Sequence, residues 1–213
     1  MRVDLYTVIH KAQRQRLFEL SVKIGRTDFD DSTQVTKVRE ELQKMIAHLR
    51  KHAHTDETFI HPLFNKVGQE GQLLEEEHHA LENSFDELEI IGASSNARSK
   101  LYVQFNRFLA AYLQHIDEEE VTQVEILWKH FNDQELMEVM KNFQQSLTPQ
   151  ENAAGLEFVL PCLSVPEVIN MLSKIQNTAP LPAFQAACAI TENAFSTTEW
   201  EGIKKALSIP SLV

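Results

Sequence analysis

The 213-residue chain is poor in the residues that punctuate or staple a fold. Its two cysteines, Cys162 and Cys188, form no C-x-x-C pair, which leaves no disulfide framework and marks both as buried apolar side chains. Six glycines and seven prolines exclude collagen, low-complexity sequence and a turn-rich all-β barrel. No apolar run approaches the roughly 20 residues that cross a bilayer, and residues 1–16 contain no apolar signal core. A soluble, cytoplasmic protein without membrane contact is the expectation. Positive charge is scarce as well: 20 Lys and Arg stand against 31 Asp and Glu, a net charge of −11. That argues against nucleic acid as a partner, because counterion release needs clustered cations. What is present is 43% apolar and 24% charged residues, enough for one core with a small appendage. The unusual surplus is nine histidines, eight of them before residue 116.

The apolar spacing is helical from end to end, with recurrence at three and four residues. A first helix carries Tyr6, Ile9, His10, Gln13, Leu17, Leu20 and Ile24, with Asp4 near its start and Gly25 as its C′ residue. A second begins near Ser32 and runs through Leu42, Leu49, His52, Asp56 and Ile60, where Pro62 should kink or end it. Gly68 and Gly71 mark the next turn. A third helix holds Leu74, His78, Leu81, Phe85 and Leu88 and stops near Gly92; the loop Ser94–Arg98 follows. The fourth shows Leu101, Phe105, Phe108, Tyr112, His115, Glu119, Thr122 and Ile126 on one face. Four amphipathic helices with short loops predict an all-α, up-down-up-down four-helix bundle over residues 1–131. Residues 132–213 hold six of the seven prolines, four of them at 161, 166, 180 and 182, and no histidine. They read as five short helices (134–146, 149–160, 166–176, 183–194 and 198–207), a C-terminal extension expected to pack on the bundle.

Each bundle helix places a histidine where leucine would serve: His10, His52, His78 and His115. Three have a carboxylate one turn later on the same face, giving His52/Asp56, His78/Glu82 and His115/Glu119. Burying such groups unpaired costs several kcal/mol, so they belong in a core only when paired or bound to a metal. Counted from the helix ends at about 1.5 Å per residue, the four histidines fall within roughly two turns of one height and can converge. Histidine and carboxylate on facing helices form a ligand set for paired first-row metals, most naturally iron. A ferritin-like site needs Glu-x-x-His on two helices. Here Glu75-x-x-His78 and Glu76-x-x-His79 overlap on one, which disfavours that arrangement.

With these residues in place, the chain resembles the hemerythrin-like (HHE cation-binding) family over about residues 3–131. The resemblance is carried by His10 in Val-Ile-His-Lys-Ala, by His52 to Pro62 in His-Ala-His-Thr-Asp-Glu-Thr-Phe-Ile-His-Pro, by Glu77-His78-His-Ala-Leu81, and by His115-Ile-Asp-Glu-Glu119-Glu. It implies a non-haem centre of two iron ions bridged by two carboxylates and an oxo or hydroxo group, and a role in binding O2 or in sensing oxygen, nitric oxide or iron. It also implies His10, His52, His78 and His115 as imidazole ligands and Asp56 and Glu119 as the bridges. Two positions depart from the family pattern. Asp56 stands where glutamate is usual, with Glu57 adjacent as a second source of that carboxylate. Glu82 stands where the oxygen carriers have a second histidine, which adds negative charge and favours the oxidised irons over reversible O2 carriage.

Other polar residues read more plainly. His54 and His61 flank Glu57 at helical spacing; they could form a second metal face, but the stripe sets them toward its edge, in a supporting or surface role. His48, His79 and His130 read as surface residues. Gln13 and Tyr112 share stripes with His10 and His115 and read as bundle rim and core, within reach of a bound ligand. The leading expectation is a di-iron sensor, store or carrier and not an enzyme. Two alternatives stand beside it: a di-iron peroxidase- or oxidase-like enzyme, motivated by Glu82, and a metal-free helical interaction module whose C-terminal helices dock a protein partner. Zinc or manganese would fit the same ligands.

Overall fold

The computed structural model of the chain describes residues 2–68, 72–93 and 98–209, and of residues 72–75, 98 and 99 the backbone alone. Gly71 and residues 94–97, expected above as turns, lie outside the described residues, as do the side chains of Leu74 and Glu75. Every regular element among the described residues is helical. The chain divides into two compact units, residues 1–143 and 144–213.

In the first unit α1 spans Thr7–Arg26, α2 Ser32–Phe59, α3 His61–Lys66, α4 Gln72–Ala93 and α5 Arg98–Thr122. Asp4 Oδ1 accepts from the backbone N–H groups of Tyr6 and Thr7 at 3.0 and 2.9 Å, closing the start of α1. Asp31 caps α2 by accepting from Thr33 N at 2.8 Å. Gly25 does not end α1, which runs on to Arg26. It makes room instead: a Cβ there would meet Tyr102 Cε2 of α5 at 2.9 Å. The break at Ile60 fits Pro62, which lacks the N–H a continuous helix needs and occupies the second position of α3. Gly68 takes a left-handed conformation, φ +68°, just past α3.

Helix α1 packs against α2 and α5, and α4 packs against the same two, so the four form a closed ring. The pairings run in opposite sequence directions. Lys23 meets Glu41 and His10 meets His52 across α1 and α2. Arg50 of α2 reaches Glu82, Asp86 and Glu89 of α4. Gln104 reaches Glu87 and His115 reaches Glu77 across α4 and α5. Ser21 meets Asn106 and Tyr112 meets Gln13 across α1 and α5. Leu17, Leu42, Leu49, Phe85, Leu88 and Phe105 are among the fully buried side chains, each worth about 2 kcal/mol of removed apolar surface.

Beyond Thr122 the chain makes a π-helical turn, Gln123–Leu127, then α6, Trp128–His130. The extra residue in the turn rotates the inward face by one position. Gln123 and Leu127 are buried there, whereas the expected stripe residues Thr122 and Ile126 are half-buried. Gln123 Oε1 accepts from Leu5 N at 2.6 Å, and Trp128 Nε1 donates to Val3 O at 2.8 Å, so residues 3–5 are fastened to this end of α5. Helix α7, Asp133–Ser146, begins in the first unit. Leu136 joins a buried cluster with Tyr6, Ile60, Leu63, Phe64 and Leu127, and Phe143 meets Phe59 at 5.9 Å between centroids. These contacts carry the first unit past the boundary at 131 that composition suggested.

The second unit holds α8, Pro149–Val159; a 3₁₀ turn, Leu160–Cys162; α9, Val165–Thr178; α10, Leu181–Ala194; and α11, Thr197–Ala206. These lie within a few residues of the expected segments. Reciprocal capping starts α8 and α11: Glu151 N donates to Thr148 Oγ1 and Glu199 N to Ser196 Oγ, at 3.2 and 3.3 Å. Helix α10 packs on α8, α9 and α11 around Leu160, Val168, Leu172, Phe184, Ala187 and Ile203. Cys162 and Cys188 share no disulfide and are half-buried, not fully enclosed. No helix among the described residues is long and apolar enough to cross a membrane.

Candidate metal centre

The ring of helices brings His10, His52, His78, His115, Asp56 and Glu119 to one place, each of them buried or nearly so. Glu119, 0% exposed, lies at the middle. Its Oε2 is 3.1 Å from His10 Nε2 and 3.9 Å from His52 Nε2. Its Oε1 is 3.5 Å from His78 Nε2 and 3.3 Å from His115 Nε2. Each carboxylate oxygen therefore faces one pair of imidazoles. Within the pairs, His10 Nε2 and His52 Nε2 are 3.2 Å apart, and His78 Nε2 and His115 Nε2 are 3.1 Å apart. Asp56 Oδ2 lies 3.3 Å from His52 Nε2, one turn along α2.

The outer ring nitrogens point to acids. His10 Nδ1–H donates to Glu120 Oε1 at 2.9 Å, His78 Nδ1–H to Glu57 Oε1 at 3.1 Å and His115 Nδ1–H to Glu77 Oε2 at 2.8 Å. A carboxylate can only accept, so Nδ1 carries the proton and the inner Nε2 of a neutral ring carries a lone pair. This outer-acid pattern orients metal-binding imidazoles and makes them stronger donors. Here it turns pairs of lone pairs toward each other and toward a carboxylate. Neither oxygen of Glu119, nor Asp56 Oδ2, has a hydrogen-bond partner, although all three are buried. Such a set of buried donors is costly without a cation among them.

The proton equilibria follow from the same crowding. Burial pulls the His10 imidazole down, but its contacts with Glu119 and Glu120 outweigh this and raise it above its ordinary value. His115 rises against burial in the same way, through Glu119 and Glu77. His52 falls well below the ordinary value through burial. Burial raises the Asp56 carboxyl well above the usual range, and the charges of Glu119 and Glu57 push it further. Burial would raise Glu119 too, but the approach of His10, His115 and His78 holds it well below.

Two expected placements differ. Glu82 is turned outward, its side chain 48% exposed, and pairs with Arg50 Nε at 2.6 Å, so it does not reach the cluster. Glu57 sits behind His78 and not among the inner groups. His61, at the start of α3, lies beside His78, where Glu82 of α4 does not reach. Its ring stacks on that of His78 at 5.1 Å and 22°, buried. The break before Pro62 rotates residue 61 inward, which an unbroken stripe does not show. His54 remains exposed, as do His79 and His130, while His48 is half-buried. Glu77 and Glu120 were in plain view as neighbours of His78 and Glu119; their signal was an acid one position from each buried ligand candidate. Two groupings have ligand atoms close enough to share an ion: His10, His52 and Glu119, and His61, His78 and Glu119.

Residues 1–127 match the family model described as the hemerythrin HHE cation binding domain. No curated protein and no solved structure matches the chain at a significant level.

Proposed function

Because the chain belongs to the hemerythrin HHE cation-binding domain family, we propose that its first unit is an up-down-up-down four-helix bundle holding two iron ions, and that it binds a small ligand such as O2 or NO as a sensor, store or carrier. His10, His52, His61, His78 and His115 would hold the ions, together with the carboxylates of Glu119 and Asp56. The observation that carries this reading is Glu119, whose two oxygens each face one imidazole pair and have no hydrogen-bond partner. Asp56 is preferred over Glu57 as the second carboxylate that would hold metal because it is buried beside His52, while Glu57 already accepts from His78.

The chain's own groups divide the work. Glu57, Glu77 and Glu120 fix which ring nitrogen of three histidines carries the proton and so aim the other inward. Leu49 and Leu81, one turn from the histidines, are buried and exclude bulk water. When bound, paired redox-active ions supply one-electron chemistry and a coordination position for a small ligand. Asp56 must lose its proton to serve as a ligand, so loading releases protons and tightens as pH rises.

Metal analysis of protein purified from iron-supplemented cells tests the reading, together with an anomalous-scattering map at the iron edge. The expected result is about two irons per chain, with Glu119→Leu losing both. Fewer than about one metal per chain, or undiminished metal in Glu119→Leu, overturns it.

A further inference from the structure

A second buried polar pair lies one turn from the histidines and takes no part in holding metal. Gln13 follows His10 by one turn on α1, and Tyr112 precedes His115 by one turn on α5. The two helices run in opposite sequence directions, so both residues lie on the same side of the histidine layer. Asp56 and Glu119, each one turn beyond its histidine, lie on the other side. Tyr112 is buried, and its ring is 6.1 Å from that of His115. Its hydroxyl donates to Gln13 Oε1 at 3.0 Å.

That bond fixes the amide. Burial holds the Tyr112 proton in place, and the charges of Glu119 and Asp56 add to it, so the hydroxyl remains a donor. Gln13 Oε1 is thereby occupied, and the NH2 half of the amide is left over. Gln13 is 0% exposed, and its Nε2 has no hydrogen-bond partner. Leaving a buried amide donor unmet is costly, and leucine would fill this position without that cost, as it does at Leu17 and Leu20. The amide is a buried donor that none of the protein's own groups meets among the described residues. A group that meets it must carry an acceptor atom and be small enough for an enclosed space. It gains from negative charge, because two divalent or trivalent ions exceed the charge of the two bridging acids.

We propose that Gln13, positioned by Tyr112, is the hydrogen-bond donor to a small anionic ligand bound at the metal pair on the side away from Glu119. This rests on the two-metal reading above. Leucine at the same place would leave a small ligand held by the metals alone; the amide selects ligands that present an acceptor.

Azide binding to the iron-loaded protein tests this, read from the azide-to-iron absorption band, with metal content and melting temperature measured on the same samples. Gln13→Leu is expected to keep its metal and weaken azide on the order of 10- to 100-fold, the range of a lost hydrogen bond to a charged acceptor. Gln13→Glu keeps the shape and the bond from Tyr112 but removes the donor, and it is expected to weaken azide at least as much. Tyr112→Phe frees the amide to rotate and is expected to give a smaller loss. Azide affinity within about twofold of wild type in Gln13→Leu overturns the proposal while leaving the metal reading intact; if that variant loses its metal, the affinity of Gln13→Glu decides. A wild-type chain that holds no metal overturns both.

Discussion

Replacing Glu77 by alanine removes the acid that holds the outer nitrogen of His115, and the three outer acids together make a graded test. Glu77 Oε2 accepts from His115 at 2.8 Å with its side chain 25% exposed. Glu120 Oε1 accepts from His10 at 2.9 Å and is 26% exposed, but it also holds Arg14 at 2.6 Å. Glu57 Oε1 accepts from His78 at 3.1 Å and is 43% exposed. Deleting an outer partner of a metal-bound histidine costs about 10- to 100-fold in affinity, or roughly 1.4–2.8 kcal/mol. Glu77, with the shortest of the three bonds, belongs near the upper end. Glu120 spends part of its charge on Arg14 and belongs in the middle. Glu57 is screened by solvent and belongs at or below the lower end. Competition between each metal-free variant and a chelator of known affinity measures these losses. Melting of the metal-free forms should differ little among the variants, because the removed groups lie partly in water. Losses below about threefold for all three, or a larger loss for Glu57→Ala than for Glu77→Ala, refute the argument that these acids tune the imidazoles.

Further expectations follow from particular contacts. His61→Leu should lose one of two metals, whereas Glu82→Ala should keep both and cost under about 1 kcal/mol, since Arg50 retains Asp86 and Glu89; metal analysis of the pair reverses the assignment if Glu82→Ala is the one that loses metal. Stripping metal with a chelator should lower the melting temperature by at least about 10 °C, because a site saturated a thousandfold above its Kd contributes about 4 kcal/mol; a drop of less than about 2 °C contradicts metal-coupled stability. Burial, with Lys51 adding to it, depresses the His48 imidazole to about 4. Its contribution is whole above pH 6.5, where both states are neutral, and drains as pH falls toward 4, by up to about 3 kcal/mol. Metal-free His48→Gln should therefore lose less stability than the metal-free wild type over that window in denaturant titrations; parallel losses count against a depressed His48 imidazole in the folded state.

The helices were legible because apolar spacing, Asp and Ser caps and the positions of proline act locally. Pro62 announced the break after α2. The inward set His10, His52, His78, His115, Asp56 and Glu119 was legible for a different reason: a titratable group on an apolar stripe has few uses. What the spacing hid depends on departures from a regular helix. His61 turns inward only because the helix restarts there, and Gln123 does so only because the π-turn inserts a residue. Glu82 had ideal spacing from His78, yet Arg50 on the facing helix holds it outside with Asp86 and Glu89. That choice between a site and a surface ion cluster is made by a residue 32 positions away. Gly25 looked like a helix end because sequence shows a missing side chain but not the Tyr102 ring lying against it.

The acids behind the histidines have a consequence for traffic between interior and solvent. Glu57, Glu77 and Glu120 each touch a buried imidazole at one end and remain partly wet along the side chain. The proton on the outer nitrogen of each imidazole can thus pass to its carboxylate and on to solvent, with no opening of the helices. The buried imidazoles are thereby in acid–base contact with the bulk through three partly exposed carboxylates. The proton balance of the cluster can follow the surrounding pH without waiting for the protein to breathe.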